Sequence, residues 1–132
     1  KREKTLFIAQ DHLKNKASVM FFPEGTRSKS RRVIRFTDGA FILAIKNKVP
    51  ILPMVIDGSS DCLPKDSWVF TGQSNVVLKL LPPVETAHLT KDDVGVLRDQ
   101  VRNMIINQLA EWRQTTPEEV DDLIYSANNT DN

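Results

Sequence analysis

Phe22-Pro23-Glu24-Gly25-Thr26-Arg27-Ser28 follows a short apolar run, Val19-Met20-Phe21-Phe22, that stops at a proline. An apolar run bounded by Pro and Gly reads as a buried strand, here over 18–22, whose end turns into a loop. Gly25 gives the turn its bend and lets a ligand approach the backbone closely, because it carries no Cβ. Arg27 offers a planar fork of donors that meets a phosphate or a carboxylate through two parallel bonds. Thr26 and Ser28 add hydroxyls beside it. Glu24 repels a phosphate, so its expected part is to orient Arg27 or another catalytic group. Glu24, Gly25, Thr26, Arg27 and Ser28 together form a candidate anion cradle.

Charge around the cradle agrees with that reading. The chain carries a formal net charge of only +1, with 18 Lys and Arg against 17 Asp and Glu. Its parts differ sharply: residues 1–56 hold a charge of +8 and residues 57–132 a charge of −7. Arg27, Lys29, Arg31, Arg32 and Arg35 fall within nine residues. Such a cluster attracts phosphorylated substrates, the phosphates of coenzyme A or an anionic membrane surface. For Lys29, Arg31 and Arg32 a solvated loop is the simpler reading. Nucleic acid is a poor partner, since no aromatic residue interleaves with the arginines before Phe36.

Further along, the pattern alternates between helix and strand. Leu6, Ala9 and Leu13 are spaced for one face of a helix over 3–15. Thr37 and Asp38 can cap a helix over 38–47, with Phe41, Ile42, Leu43 and Ile45 as apolar surface. The near-continuous aliphatic run Val49-Pro50-Ile51-Leu52-Pro53-Met54-Val55-Ile56 predicts a strand buried on both faces, as parallel strands tend to be. Trp68-Val69-Phe70 and Val76-Val77-Leu78-Lys79-Leu80 read as strands around a turn over 71–75, and Pro82-Pro83 ends the second. Val94, Leu97, Val101, Ile105 and Leu109 place a long helix over 91–113. Thr116-Pro117-Glu118-Glu119 reads as a capping box before a short helix, and Asn128-Asn129-Thr130-Asp131-Asn132 as a disordered tail.

The letters of the cradle carry more than its physics. Phe22-Pro23-Glu24-Gly25-Thr26-Arg27-Ser28 resembles a signature of the lysophosphatidate, or 1-acyl-sn-glycerol-3-phosphate, acyltransferases. Val49-Pro50-Ile51-Leu52-Pro53 stands where that family has a Val-Pro-Ile-x-Pro strand, and Arg35-Phe36-Thr37-Asp38-Gly39 resembles its connector. Thr37 departs from the lysine common there and removes one cation. The resemblance is tight over 19–56, looser to Pro83 and weak beyond.

The resemblance implies an α/β fold with part of a mixed, largely parallel sheet flanked by helices. Residues 1–115 are then the C-terminal portion of an acyltransferase domain, and 116–132 an appended segment. It implies acyl transfer from acyl-coenzyme A or acyl carrier protein to the sn-2 hydroxyl of lysophosphatidate, without a metal or further cofactor. It also implies work at a membrane surface, with the active-site domain on the cytoplasmic side. Family members take their general base from a His-x4-Asp pair upstream of the Phe-Pro-Glu-Gly-Thr-Arg element. Here His12 has Ala17 five residues on, and His88 has Asp93 but follows both motifs. Asp92 and Asp93 read better as the acidic first turn of a helix. The dyad is therefore expected upstream of this chain, which alone is expected to be inactive. A phosphate-headgroup module without acyl transfer is the alternative. Cys62 is the only cysteine and excludes an internal disulfide or a multi-cysteine zinc site. No run of residues approaches the ~18 to 20 apolar positions of a membrane helix.

Overall fold

A computed structural model describes residues 2–62, 69 and 73–129. Its long organising element is α4 (Val94–Arg113), preceded by a 3-10 turn at Lys91–Asp93. The predicted apolar stripe is the face it buries: Leu97, Val101 and Leu109 join Phe36, Phe41, Ile45, Val55, Leu81 and Val120 in one core, with Val94 and Ile105 partly buried against it. The start of this helix is fixed as its acidic residues suggested. Thr90 Oγ1 accepts from the Asp92 N–H, and the Asp93 carboxylate accepts from the Thr90 N–H at 2.7 Å, a reciprocal cap.

Two helices precede the sheet. In α1 (Arg2–Lys14), Ala9 is buried and Leu6 and Leu13 are half-buried, which is the predicted face. It packs on α2 (Gly39–Asn47), where Leu6 lies against Gly39 so closely that an added Cβ would come within 3.3 Å of it. Asp38 occupies the cap position of α2, yet its side chain caps nothing and instead accepts from Arg98 Nη1 at 2.7 Å. Phe41, Leu43 and Ile45 are buried in α2, whereas Ile42 remains half exposed. Thr86, fully buried, ties the end of α2 to the following run by donating to the Ala44 and Val49 carbonyls.

The sheet is smaller than the sequence predicted. Of the aliphatic run 49–56, only β1 (Met54–Asp57) is strand; Ile51 makes a single antiparallel bridge to Val84. Pro50 and Pro53 have no N–H to give a ladder, which interrupts pairing on both sides of Ile51. β1 pairs with β2 (Val77–Leu80) in antiparallel register, Met54 opposite Leu80 and Ile56 opposite Leu78. Among the described residues this antiparallel pair is the sheet, and the expected largely parallel arrangement is not found in it. A parallel pair needs a crossover that returns the chain to its starting end, usually through a full helix. Between β1 and β2 the described helix is only α3 (Ser59–Cys62), so β2 runs back along β1.

The predicted strand over 18–22 is also absent. A strand exists only against a neighbour, and among the described residues none lies beside this run; Met20 is 66% and Phe22 75% exposed. The expected strand and turn across Trp68 and 70–72 lie outside the described residues. At the far end, α5 (Pro117–Val120) starts at a proline as predicted, but Thr116 makes no side-chain cap. Glu119 bonds the Thr115 hydroxyl at 2.7 Å instead. α6 (Asp122–Asn129) then holds Asn128 and Asn129 as helix, where loss of order was expected; Thr130, Asp131 and Asn132 lie outside the described residues.

Candidate anion-binding loop

Residues 23–37 form a loop with a closed neck. The Thr37 N–H and hydroxyl both donate to the Pro23 carbonyl, at 2.9 and 3.0 Å. A loop of this length, closed at its ends and packed by its own side chains, is an Ω-loop. Within it Val33 and Phe36 plunge into the core, and Phe36 stacks on Phe41 with ring centroids 6.4 Å apart.

The leading half holds the motif. The Gly25 N–H donates to the Phe22 carbonyl at 3.0 Å, closing a turn. Gly25 has φ +69°, a conformation that side chains with a Cβ rarely adopt, while the space around it is open. Its role is thus the backbone conformation the sequence suggested, with room left for an approaching group. Thr26 and Arg27 are exposed. Ser28 is half-buried, its hydroxyl 3.1 Å from that of Ser30, which in turn donates to Asp122 at 2.9 Å. Glu24 reaches across the loop, its Oε2 accepting the Ile34 N–H at 3.1 Å. Burial pushes the Glu24 carboxyl up, against the pull of that N–H and of the Arg102 charge.

The trailing half holds most of the cations, and two of them, Arg31 and Arg32, are engaged elsewhere. Arg31 pairs with Asp61 at 3.0 Å, with both side chains about half exposed. The Arg32 guanidinium lies 3.4 Å over the Tyr125 ring, and its Nε donates to the Glu119 carbonyl. Arg113 grips Asp57 through two bonds of 3.0 and 2.6 Å and donates to the Arg31 carbonyl. Its guanidinium holds the Asp57 carboxyl below the usual carboxylate range. Arg35 is exposed beside a shallow cleft of about 330 Å³ that it shares with Phe36, Arg98 and Leu123.

Sequence reasoning passed over the residue that joins these parts. Arg102, only 6% exposed on α4, donates Nη1 and Nη2 to the two oxygens of Asp121 at 2.7 and 2.6 Å. Its Nε and Nη2 also donate to the carbonyls of Ile34 and Val33, at 3.1 and 2.7 Å. Asp121 in turn accepts the Leu123 N–H at the start of α6, and the Arg102 bond holds its carboxyl low. The signal was available: Arg102 falls four residues before buried Ile106, in phase with the apolar stripe of its helix.

Neither histidine is arranged as a catalytic base among the described residues. His12 sits near the end of α1 with an exposed side chain. His88 lines a cleft of about 350 Å³ with Glu85, Gln100 and Met104, but Asp93 is taken by the Thr90 cap. No three His, Cys, Asp or Glu side chains gather as a metal site among the described residues, and no described helix is long and apolar enough to cross a membrane.

Comparison with known proteins converges on one group. The family model described as Acyltransferase matches residues 1–57. Human 1-acyl-sn-glycerol-3-phosphate acyltransferase alpha is 41% identical over 105 residues, which are 79% of this chain and 36% of that protein. The Saccharomyces cerevisiae 1-acyl-sn-glycerol-3-phosphate acyltransferase is 36% identical over 100 residues, 74% of this chain and 33% of its own. The crystal structure of the 1-acyl-sn-glycerophosphate (LPA) acyltransferase PlsC from Thermotoga maritima superposes with a TM-score of 0.73 at 33% identity, over 82% of this chain and 44% of that one. The chain therefore spans about a third of the length of the curated relatives it matches. With motif, loop and likeness in agreement, the chain belongs to the 1-acyl-sn-glycerol-3-phosphate acyltransferase family.

Proposed function

We propose that the protein transfers a fatty acyl group from acyl-coenzyme A or acyl carrier protein to the sn-2 hydroxyl of lysophosphatidate, producing phosphatidate. This chain supplies the site for the acceptor phosphate. The observation that carries the proposal is the Phe22–Ser28 turn, in which Gly25, Thr26 and Arg27 are exposed in a loop whose neck is closed. Arg27 meets the phosphate with its guanidinium fork, and the Thr26 hydroxyl adds a donor. Glu24 shapes the loop through Ile34, and Ser28 supports the turn through Ser30.

In the reaction a general base removes the proton of the sn-2 hydroxyl, the oxygen attacks the thioester carbonyl, and the thiolate leaves. A base must lie within hydrogen-bond reach of that proton. Its source is a His-x4-Asp pair outside residues 1–132, and the loop's contribution is to hold the hydroxyl where the base can reach it. Fixing a reactant in this way supplies several kcal/mol of the lowered barrier, about 7 in favourable cases. The protein works at a membrane surface, with this domain on the cytoplasmic side.

A headgroup-binding role without acyl transfer is the second reading. It is motivated by the Thr90 cap, which occupies Asp93 and so leaves the His-x4-Asp spacing of His88 and Asp93 unformed as a pair. The experiment is acyl transfer from oleoyl-coenzyme A to lysophosphatidate, comparing residues 1–132 with the longer gene product that carries them. Activity confined to the longer protein is the expected result. Activity of residues 1–132 alone contradicts the external base, and binding without transfer by either protein favours the second reading.

A further inference from the structure

We propose that Arg102, with Asp121 as its counter-ion, is a positioning residue for the anion loop, setting the height of Val33 and Ile34 and through them the Glu24–Ser28 turn. The proposal deepens the acceptor-phosphate reading and rests on it for its functional consequence.

Taking the Arg102 and Asp121 charges out of water is costly, and a buried ion pair is weak evidence of a stabilising role, since apolar pairs of similar volume often serve stability as well. What an apolar residue cannot do is donate to carbonyls. Arg102 divides its donors between Asp121 and the Val33 and Ile34 carbonyls, so a rigid helix addresses the loop backbone directly. Ile34 is the hinge of the arrangement. Its carbonyl takes the Arg102 bond while its N–H donates to Glu24, the residue that precedes Gly25.

A second strut acts on the same point. The Val33 N–H donates to the Val120 carbonyl at 2.9 Å, and the Asp122 N–H donates to the Val33 carbonyl at 3.2 Å. Asp121 lies between these two bonds and organises the start of α6 by accepting from Leu123. Residues 117–129 thereby form the mount on which the trailing half of the loop is fixed. A lysine at position 102 would keep a charge near Asp121 but lose the fork that serves acid and carbonyls together.

The test uses the full chain, isotopically labelled for backbone amide spectra, with soluble sn-glycerol 3-phosphate as the probe. Arg102→Lys and the double variant Arg102→Met/Asp121→Leu are compared with wild type. Expected is a displacement of the amide signals of residues 24–28 and of Ile34, with those of residues 39–47 unmoved. The dissociation constant should rise about tenfold or more, as small misplacements of a binding group do. Unmoved signals at 24–28 with affinity within about twofold in either variant would overturn the proposal. So would loss of affinity only in step with a general collapse of the spectrum in both variants, which a merely structural role gives. If the 24–28 signals move in the variants while wild type does not bind the probe, Arg102 still positions the loop and the acceptor-phosphate reading falls.

Discussion

The two halves of the 23–37 loop both carry arginine and differ in what the fold does with it. Residues 24–28 hold a single arginine, exposed with a threonine in a turn shaped by a positive-φ glycine. Residues 29–35 hold four of the cluster's five cations. Of these, Arg31 is committed to Asp61, and Arg32 to Tyr125 and Glu119. Two of the four cations in the denser cluster are thus held by the fold, and the ligand contact proposed above falls in the sparser half. Charge density along a sequence measures attraction at long range, whereas recognition at contact needs donors presented on a fixed backbone.

The sharpest way to break this division is to attack the anchor. Arg102→Met leaves Asp121 buried without its partner and should destabilise the fold by about 3–5 kcal/mol, read from denaturant unfolding. A loss below about 1 kcal/mol would mean that the trailing half does not depend on the pair.

Arg27→Ala tests the other half. It should weaken lysophosphatidate binding by about 1.5–3 kcal/mol, the usual range for a hydrogen bond to a charged group, with little change in stability. Equal weakening by Arg31→Ala, measured at one salt concentration, would replace a fixed cradle with diffuse electrostatics.

Titration separates the halves by sign. Burial raises the Glu24 carboxyl above its ordinary 4.5, so its favourable contribution is full below that value and is lost as pH rises through the raised one. Glu24→Gln should therefore gain stability relative to wild type between pH 4 and pH 7, keeping an oxygen to accept the Ile34 N–H. Asp57 and Asp121 are held below 3.8, so the stability from their arginine partners is present above that value and fades as pH falls through the lowered ones. Acid unfolding curves of wild type and Glu24→Gln should accordingly converge toward low pH.

The smallest effect is expected at the surface. Arg31→Ala should alter stability by no more than about 0.5 kcal/mol, as for other exposed pairs, and a larger loss would give the Arg31–Asp61 pair a weight in the fold that its exposure does not suggest.

Much of this was legible in the sequence, for local reasons. The stripe Leu97-Val101-Leu109 and the acidic turn at Asp92-Asp93 determine the long helix whatever surrounds it. Gly25 and Arg27 declare a turn and a donor by residue type alone. What escaped notice depends on partners distant in the chain. Arg102 acts on residues 69 and 68 positions earlier, and no local pattern encodes that pairing. The sheet differs from expectation because the aliphatic content of 49–56 reports neither burial nor pairing: Leu52 is 54% and Ile56 41% exposed, and the prolines and the return path of β2 decide pairing and direction. The expected strand over 18–22 failed for the related reason that periodicity supplies no neighbour.

The central claim is that the anion contact lies in the turn of the leading half. It is tested most directly by titrating sn-glycerol 3-phosphate into labelled wild-type and Arg27→Ala chains and following the backbone amides. The account predicts the largest shifts at residues 25–28 in wild type and their loss in Arg27→Ala. Shifts of equal size at Lys29, Arg31, Arg32 and Arg35, or centred on the His88 cleft and unaffected by Arg27→Ala, would contradict it.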